Sequence, residues 1–334
     1  MAVPADGDAA GGTGAASRSS DHSPSARRTA LLFPGQGAQS VGMVGEWIDG
    51  HPAALALFDR ASKILGYDLA AICRVGPAER LDTTAVSQPA ILVTSLALLD
   101  VLRGRPEGAA VDEAVVAAGL SLGEYTALVF AGALGFEDAV RLVDLRGKAM
   151  QACADARPGA MLAVLGLERE RVAELCDAAR DGEILEVANV LCPGNVVASG
   201  SASACDRLRD AATAAGALKC VRLGVAGAFH TELMRGAVTE LTAALSETPI
   251  SAPRIPVVSN VDAKPHVDPT EIRRLLARQV VGVVEWQASM ERLLAAPSAG
   301  GFGVEGAWEV GPGRVLRGLL KRIDRKFPCS GVID

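Results

Sequence analysis

The sequence is poor in aromatic residues, which make up 4% of its 334 positions. With Ala, Gly and Val abundant, the core must be aliphatic. Histidine is scarce, with four in the chain, so any histidine-dependent chemistry has few candidates. There is no excess of positive charge. The formal net charge is -6, which argues against nucleic acid as the main partner, because phosphate binding needs a positive surface. Paired cysteines are also missing. The seven are Cys73, Cys153, Cys176, Cys192, Cys205, Cys220 and Cys329, an odd number at irregular spacing. They read as reduced, mostly buried thiols in a non-oxidising compartment. No H-E-x-x-H occurs, no Cys/His pair has zinc-ligand spacing, and no metal is expected. No G-x-G-x-x-G follows a strand, and no Walker sequence is present. No stretch reads as apolar and long enough to cross a bilayer, and no secretory hydrophobic region follows Met1. A membrane is therefore not an expected partner.

Hydrophobic residues make up 49% and charged residues 22%, ordinary for a globular enzyme. The length fits one large domain with a small one inserted. Residues 1–28 are Ala, Gly, Ser and Asp with almost no large apolar side chain, and read as a disordered tail. Arg18, Arg27 and Arg28 in a Ser-rich setting suit a targeting remnant, whereas Asp6, Asp8 and Asp21 count against one.

The apolar run Thr29 to Phe33 stops at Pro34-Gly35, as a buried strand would. Pro52 to Leu65 has helical spacing. Ser87-Gln88-Pro89 opens an apolar helix to about Arg103, with Ser87 suited to the cap and Pro89 to the first turn. Ala114 to Gly119 is small and apolar throughout, a strand buried on both faces. Helices Leu122 to Ala131 and Phe136 to Cys153 follow. Strands alternating with helices imply a parallel sheet covered on both sides. After Pro158-Gly159 the order becomes β-α-β-β-α-β, that of a ferredoxin-like unit. The fold class is thus α/β. A large domain with a central, mostly parallel sheet spans 29–157 and 226–334, and a ferredoxin-like small domain spans 158–225.

Gly119-Leu120-Ser121-Leu122-Gly123 matches G-x-S-x-G between a strand and a helix, the context of a nucleophile elbow. The glycines allow a sharp turn without a Cβ clash. The helix N-terminus behind Ser121 supplies free N–H groups for an oxyanion. The alternative is a serine that caps a helix. A serine needs a base. His22 lies in the tail, His51 at a helix start and His266 in a Pro-rich loop. His230 is the best candidate by position, against the alternative of a packed histidine.

These residues bring a family into view. The chain resembles malonyl-CoA:acyl-carrier-protein transacylases of the stand-alone type, most of all plant and algal organellar members. Pro34 to Gln39 is similar to the opening PGQG[AS]Q. Gly119 to Leu128 resembles the serine motif, Leu145 to Met150 the arginine motif and Gly227 to Met234 the histidine motif. Ser259 to Ala263, Arg278-Gln279 and Glu309 to Gly313 also match. The organellar likeness lies in Asn189 to Asn195 and Val225 to Thr231. The resemblance implies a hydrolase-like large domain. It implies a malonyl ester on Ser121, with His230 as base and the Gln36 and Leu122 N–H groups as oxyanion hole. It places Arg146 on the malonyl carboxylate, with Met150, Phe229 and Asn189 at the substrate. Gln279 would also serve there, holding His230 by its backbone carbonyl. A planar guanidinium suits a carboxylate. In related modular acyltransferases an aromatic at the Phe229 position goes with malonyl rather than methylmalonyl. Leu120 departs from the histidine common before the serine. Leu191 and Cys192 replace polar residues of bacterial members.

The implied reaction passes malonyl from malonyl-CoA to the phosphopantetheine thiol of acyl carrier protein, for fatty-acid synthesis, with no bound cofactor. The implied protein is a monomer of the plastid stroma, with the mitochondrial matrix or bacterial cytosol as alternatives. Carrier proteins are acidic, and Arg314, Arg317, Lys321, Arg322, Arg325 and Lys326 offer a basic docking surface, with Arg273, Arg274 and Arg278 in addition. Two other functions stand beside this one. A hydrolase would usually need an acid between serine and histidine, and Asp206 and Asp210 fall there. A non-catalytic carrier-binding subunit would not be acylated.

Overall fold

The computed structural model describes residues 27–333. The expected disordered tail lies outside the described residues, except for Arg27 and Arg28. Arg28 belongs to the fold. Its Nε donates to the Phe302 carbonyl at 2.7 Å, and its own carbonyl accepts from Glu305 N–H at 2.8 Å.

Strand β1 (Thr29–Phe33) is buried at every position. Helices α1 (Pro52–Leu65), α2 (Leu69–Val75) and α3 (Ala78–Leu81) follow. The last two are too short to show helical periodicity in sequence. Helix α4 (Thr84–Arg103) starts before the expected Ser87 cap, so Ser87 and Pro89 lie inside it. The reason is that Val86 and Ser87 N–H groups bond to the Thr83 carbonyl at 3.1 and 2.8 Å. A turn has closed before the proline is reached. By length and composition α4 could cross a membrane, contrary to the sequence reading, but nearly all of it is buried in the core.

Helix α5 (Ala109–Asp112) leads into β2 (Ala114–Gly119), then α6 (Gly123–Phe130) and α7 (Phe136–Ala156). The next segment is β3 (Gly159–Leu165), α8 (Arg169–Ala179), β4 (Leu185–Cys192), β5 (Asn195–Ser201), α9 (Ala202–Ala214) and β6 (Lys219–Arg222). A single 3-10 turn, Glu232–Met234, then opens α10 (Arg235–Glu247). The remainder is β7 (Val257–Val258), β8 (Pro265–His266), α11 (Pro269–Gln279), β9 (Val284–Glu285), α12 (Trp286–Leu294), β10 (Gly306–Glu309), α13 (Val315–Ile323) and β11 (Cys329–Gly331).

The larger sheet has the order β11-β10-β1-β2-β7-β8, parallel except for the β7–β8 pair. Alternation splits its core in two. Leu31 and Phe33 face one layer with α4 and α7 residues such as Leu92 and Val143. Ala30 and Leu32 face another with Trp286, Leu316 and Leu320. Burial on both faces explains why these strands read as unbroken apolar runs. The second sheet has the order β6-β3-β5-β4-β9. Its first four strands are antiparallel in the ferredoxin-like arrangement. Strand β9, from far along the chain, adds in parallel to β4.

Candidate active site

Strands β1 and β2 end side by side, with Phe33 opposite Gly119. The chain after β2 turns at once into α6. Two glycines let the loop after β1 lie against this turn. A Cβ on Gly35 would sit 2.2 Å from the Leu120 carbonyl oxygen, and one on Gly123 would sit 2.1 Å from the Phe33 oxygen. The sequence reading assigned the sharp turn to the motif glycines. The left-handed residue is instead Ser121 itself, at φ 50°, a conformation that costs a non-glycine residue energy. The glycines provide close approach. As a result Gln36 and Leu122 line the same cavity, and their N–H groups donate no hydrogen bond among the described residues. Both N–H groups are thus available to a group bound in the cavity.

His230 also has a left-handed backbone, at φ 62°. Its Nδ1 lies 2.8 Å from the Gln279 carbonyl oxygen. A carbonyl can only accept, so Nδ1 carries the proton and Nε2 is free to accept. Ser121 Oγ lies 3.0 Å from that Nε2. Burial first, and then the Arg146 charge, push the His230 pKa down to about 4, against the pull of the Gln279 carbonyl. The imidazole is thus neutral near pH 7 and able to take a proton. His51 instead bonds the Trp47 carbonyl, and His266 faces Asp262. Asp206 and Asp210 pair with Arg209 on α9 and do not serve His230.

Arg146 is 1% exposed. Its Nη1 donates to Gln88 Oε1 at 2.8 Å. Its Nη2 donates to Gln279 Oε1 at 3.0 Å and to Ser121 Oγ at 3.1 Å. Its Nε has no partner among the described residues. A buried guanidinium with donor capacity left over, beside a nucleophile candidate, fits an incoming carboxylate.

The Gln279 side chain is wholly buried behind the cavity wall, not at the substrate position expected for it. Its Nε2 donates to Glu124 Oε2 at 2.7 Å and to the Ser121 carbonyl at 3.0 Å. That leaves its Oε1 to face Arg146. Burial raises the Glu124 pKa, offset in part by the Asn260 N–H and the Gln279 amide. Sequence reasoning missed Gln88, Glu124 and Asn260. Glu124 lies within the quoted serine motif, which was the available signal. For Gln88 no local pattern marked a role.

Ser121, His230, Arg146, Gln36 and Leu122 border one cavity of about 500 Å³. Met150, Phe229 and Asn189 line it as well. Met161, Val197 and Leu223 of the second sheet's region give it an aliphatic wall. The basic cluster on α13 is not uniform. Arg314, Lys321 and Arg322 are exposed. Arg317 corrects the sequence reading: its side chain is 14% exposed and turned onto buried Glu309 at 3.4 Å. Arg273 bonds the Leu245 and Thr248 carbonyls and is not part of an open surface either.

Residues 30–304 match the acyl transferase domain family. The chain is 43% identical over 303 residues to the malonyl CoA-acyl carrier protein transacylase of Salmonella typhimurium, covering 91% of this chain and 95% of that protein. The chain belongs to the malonyl-CoA:acyl-carrier-protein transacylase family. A human mitochondrial transacylase of this family is 40% identical over 299 residues, 87% of this chain and 76% of that one. The family's structure from Coxiella burnetii superposes with a TM-score of 0.84 at 37% identity, covering 92% of this chain and 94% of the other. A type II polyketide acyl-carrier protein bound to its malonyl-transacylase gives 0.83 at 38% identity, with 91% and 94% covered. The α/β fold with its two sheets is that of these transacylases.

Proposed function

We propose that this chain transfers the malonyl group of malonyl-CoA to the phosphopantetheine thiol of an acyl carrier protein, through an ester on Ser121. The observation that carries the reading is the meeting of two groups, an imidazole and a guanidinium, at one hydroxyl oxygen. Ser121 Oγ lies 3.0 Å from His230 Nε2 and 3.1 Å from Arg146 Nη2. Nucleophile, base and carboxylate receptor are then within one acyl group of each other.

Ser121 Oγ attacks the thioester carbonyl while His230 Nε2 takes its proton. The oxyanion is held by the N–H group of Leu122, at the N-terminus of α6, and by that of Gln36 in the loop after β1. Collapse expels the CoA sulfur, which takes the proton from His230. The carrier's thiol then gives a proton to His230 and attacks the ester, and the second collapse expels Ser121 Oγ, which takes that proton back from His230. Arg146 holds the malonyl carboxylate through both halves. The carbonyl of Gln279 does what an aspartate does in other serine enzymes, fixing the tautomer of His230.

Exposed Arg314, Lys321 and Arg322 are the docking cations in this reading. Val315 and Leu319 of the same helix line the cavity, which supports α13 as the side from which an acidic carrier brings its arm. We take residues 29–157 with 226–334 as one unit and 158–225 as a second, with the cavity bordered by both. We place the protein in the plastid stroma, on the organellar likeness at Asn189 to Asn195, and read it as a monomer serving fatty-acid synthesis. Bacterial and mitochondrial relatives stand beside that placing.

The test is steady-state kinetics with malonyl-CoA varied at several fixed concentrations of holo carrier protein. Parallel double-reciprocal lines are expected for the ester route. Intersecting lines would overturn it. CoA release at full rate without carrier would make the protein a hydrolase.

A further inference from the structure

We infer that Asn260 is the positioning residue for the nucleophile: its buried side-chain amide clamps the elbow from both sides of Leu120 and holds Ser121 in its left-handed conformation. The inference rests on Ser121 being the nucleophile, as proposed above.

The placement follows from the sheet. Strands β2 and β7 are parallel neighbours, with Ala118 opposite Val258. Parallel neighbours end at the same edge, so the residue two beyond Val258 arrives beside the residues just beyond Gly119. Asn260 is fully buried there. Its Oδ1 accepts from Ser121 N–H at 2.6 Å. Its Nδ2 donates to the Gly119 carbonyl at 2.7 Å. A carboxamide presents an acceptor and a donor on separate atoms, one for each of these backbone groups. Alanine would leave both backbone groups buried without a partner, and aspartate would set an anion against a carbonyl oxygen.

The clamp is itself held. The Asn260 N–H donates to Glu124 Oε2 at 3.0 Å, and the Asn260 carbonyl accepts from Glu285 N–H at 2.8 Å. The loop around it is closed by Ser259 N–H to the Lys264 carbonyl at 2.9 Å and Ala263 N–H to the Ser259 carbonyl at 3.0 Å. Asn260 therefore joins the elbow to β9, the strand that edges the second sheet. There is a consequence for chemistry. With its own N–H committed to Asn260, Ser121 cannot donate to an oxyanion, which leaves that work to Leu122 and Gln36. Without the clamp, Ser121 is free to relax toward negative φ. Its hydroxyl would then leave the line between His230 and the thioester.

The experiment compares the wild type with Asn260→Ala, and with near-isosteric Asn260→Asp if alanine prevents folding. The kcat should fall about 100-fold, the scale expected when a reacting group is misplaced by about an ångström. Malonyl-CoA binding, measured by calorimetry with Ser121→Ala as the common background, should stay within about threefold, because Arg146 and the cavity are intact. The rate of Ser121 labelling by a small fluorophosphonate, which has no carboxylate for Arg146, should fall in step with kcat. Full kcat in a folded variant would overturn the inference. So would loss of malonyl-CoA binding as large as the loss of kcat, since that describes general collapse of the site. An active Ser121→Ala control would instead defeat the proposed function itself, and the two failures are thus distinguishable.

Discussion

Replacing Arg146 with alanine should abolish most of the preference for malonyl over acetyl thioesters, and the size of the effect can be worked from its surroundings. A guanidinium that meets a carboxylate with two parallel bonds gains about 1.5–3 kcal/mol from each. Two such bonds give about 3–6 kcal/mol. Gln88 and Gln279 already accept from Arg146, and Glu124 lies one amide beyond, so the protein itself compensates part of the charge. The lower half of that range applies. At about 1.4 kcal/mol per decade, the malonyl to acetyl ratio in kcat/KM should drop roughly 100- to 1,000-fold. Arg146→Lys keeps the charge but not the fork, and should recover only part. The assay is quenched-flow acylation of Ser121 from each CoA ester, read as intact mass. An unchanged ratio, with malonyl and acetyl rates falling together, would refute the assignment and leave Arg146 as a packing residue.

Other predictions concern the base, the elbow and the docking face. His230 has a folded pKa of about 4, below its ordinary 6.5, so kcat/KM should stay level below pH 6.5 and fall only on approach to about 4. In Arg146→Gln that acid limb should move up, because one of its two depressing causes is gone; a wild-type limb at 6.5 would contradict this. The same shift links to stability. The unfolded chain binds the extra proton first, so His230 contributes fully above about pH 6.5, and that contribution is lost as pH falls toward 4. It amounts to about 3 kcal/mol at most, and should appear as a fall in Tm across that window that His230→Gln lessens. Gly123→Ala should lower stability by about 1–3 kcal/mol through overpacking against the Phe33 carbonyl, measurable by denaturant unfolding. Lys321→Glu with Arg322→Glu should raise KM for holo carrier several-fold at low salt while leaving KM for malonyl-CoA unchanged; equal effects on both would sink the docking assignment.

Much of this site was legible because its parts sit in short, locally decisive contexts. A wholly apolar strand ending at Gly119, followed by a helix, dictated an elbow. Four histidines left His230 as the candidate base. The β-α-β-β-α-β order was readable since each element carries its own period, and the observed strand order agrees with it. What stayed hidden was set by long-range contact. Asn260 is 139 residues from Ser121, and nothing in its own loop points to the partner. Gln88 meets Arg146 across 58 residues, from a helix whose apolar character masks its buried polar positions. Strand β9 is two residues long and depends on the edge of a sheet built from another part of the chain. Arg317 shows the limit of reading charge clusters. A run of basic residues reveals a charged helix but not which of them faces an internal carboxylate. Pro89 misled for a related reason: a first-turn preference is weaker than the burial of a helix already begun.

The most direct test of the central claim is the intact mass of the protein after incubation with malonyl-CoA. The account predicts one malonyl adduct, absent in Ser121→Ala and discharged on adding holo carrier protein. A malonyl adduct that persists in Ser121→Ala, or no adduct at all while CoA is released, would contradict it.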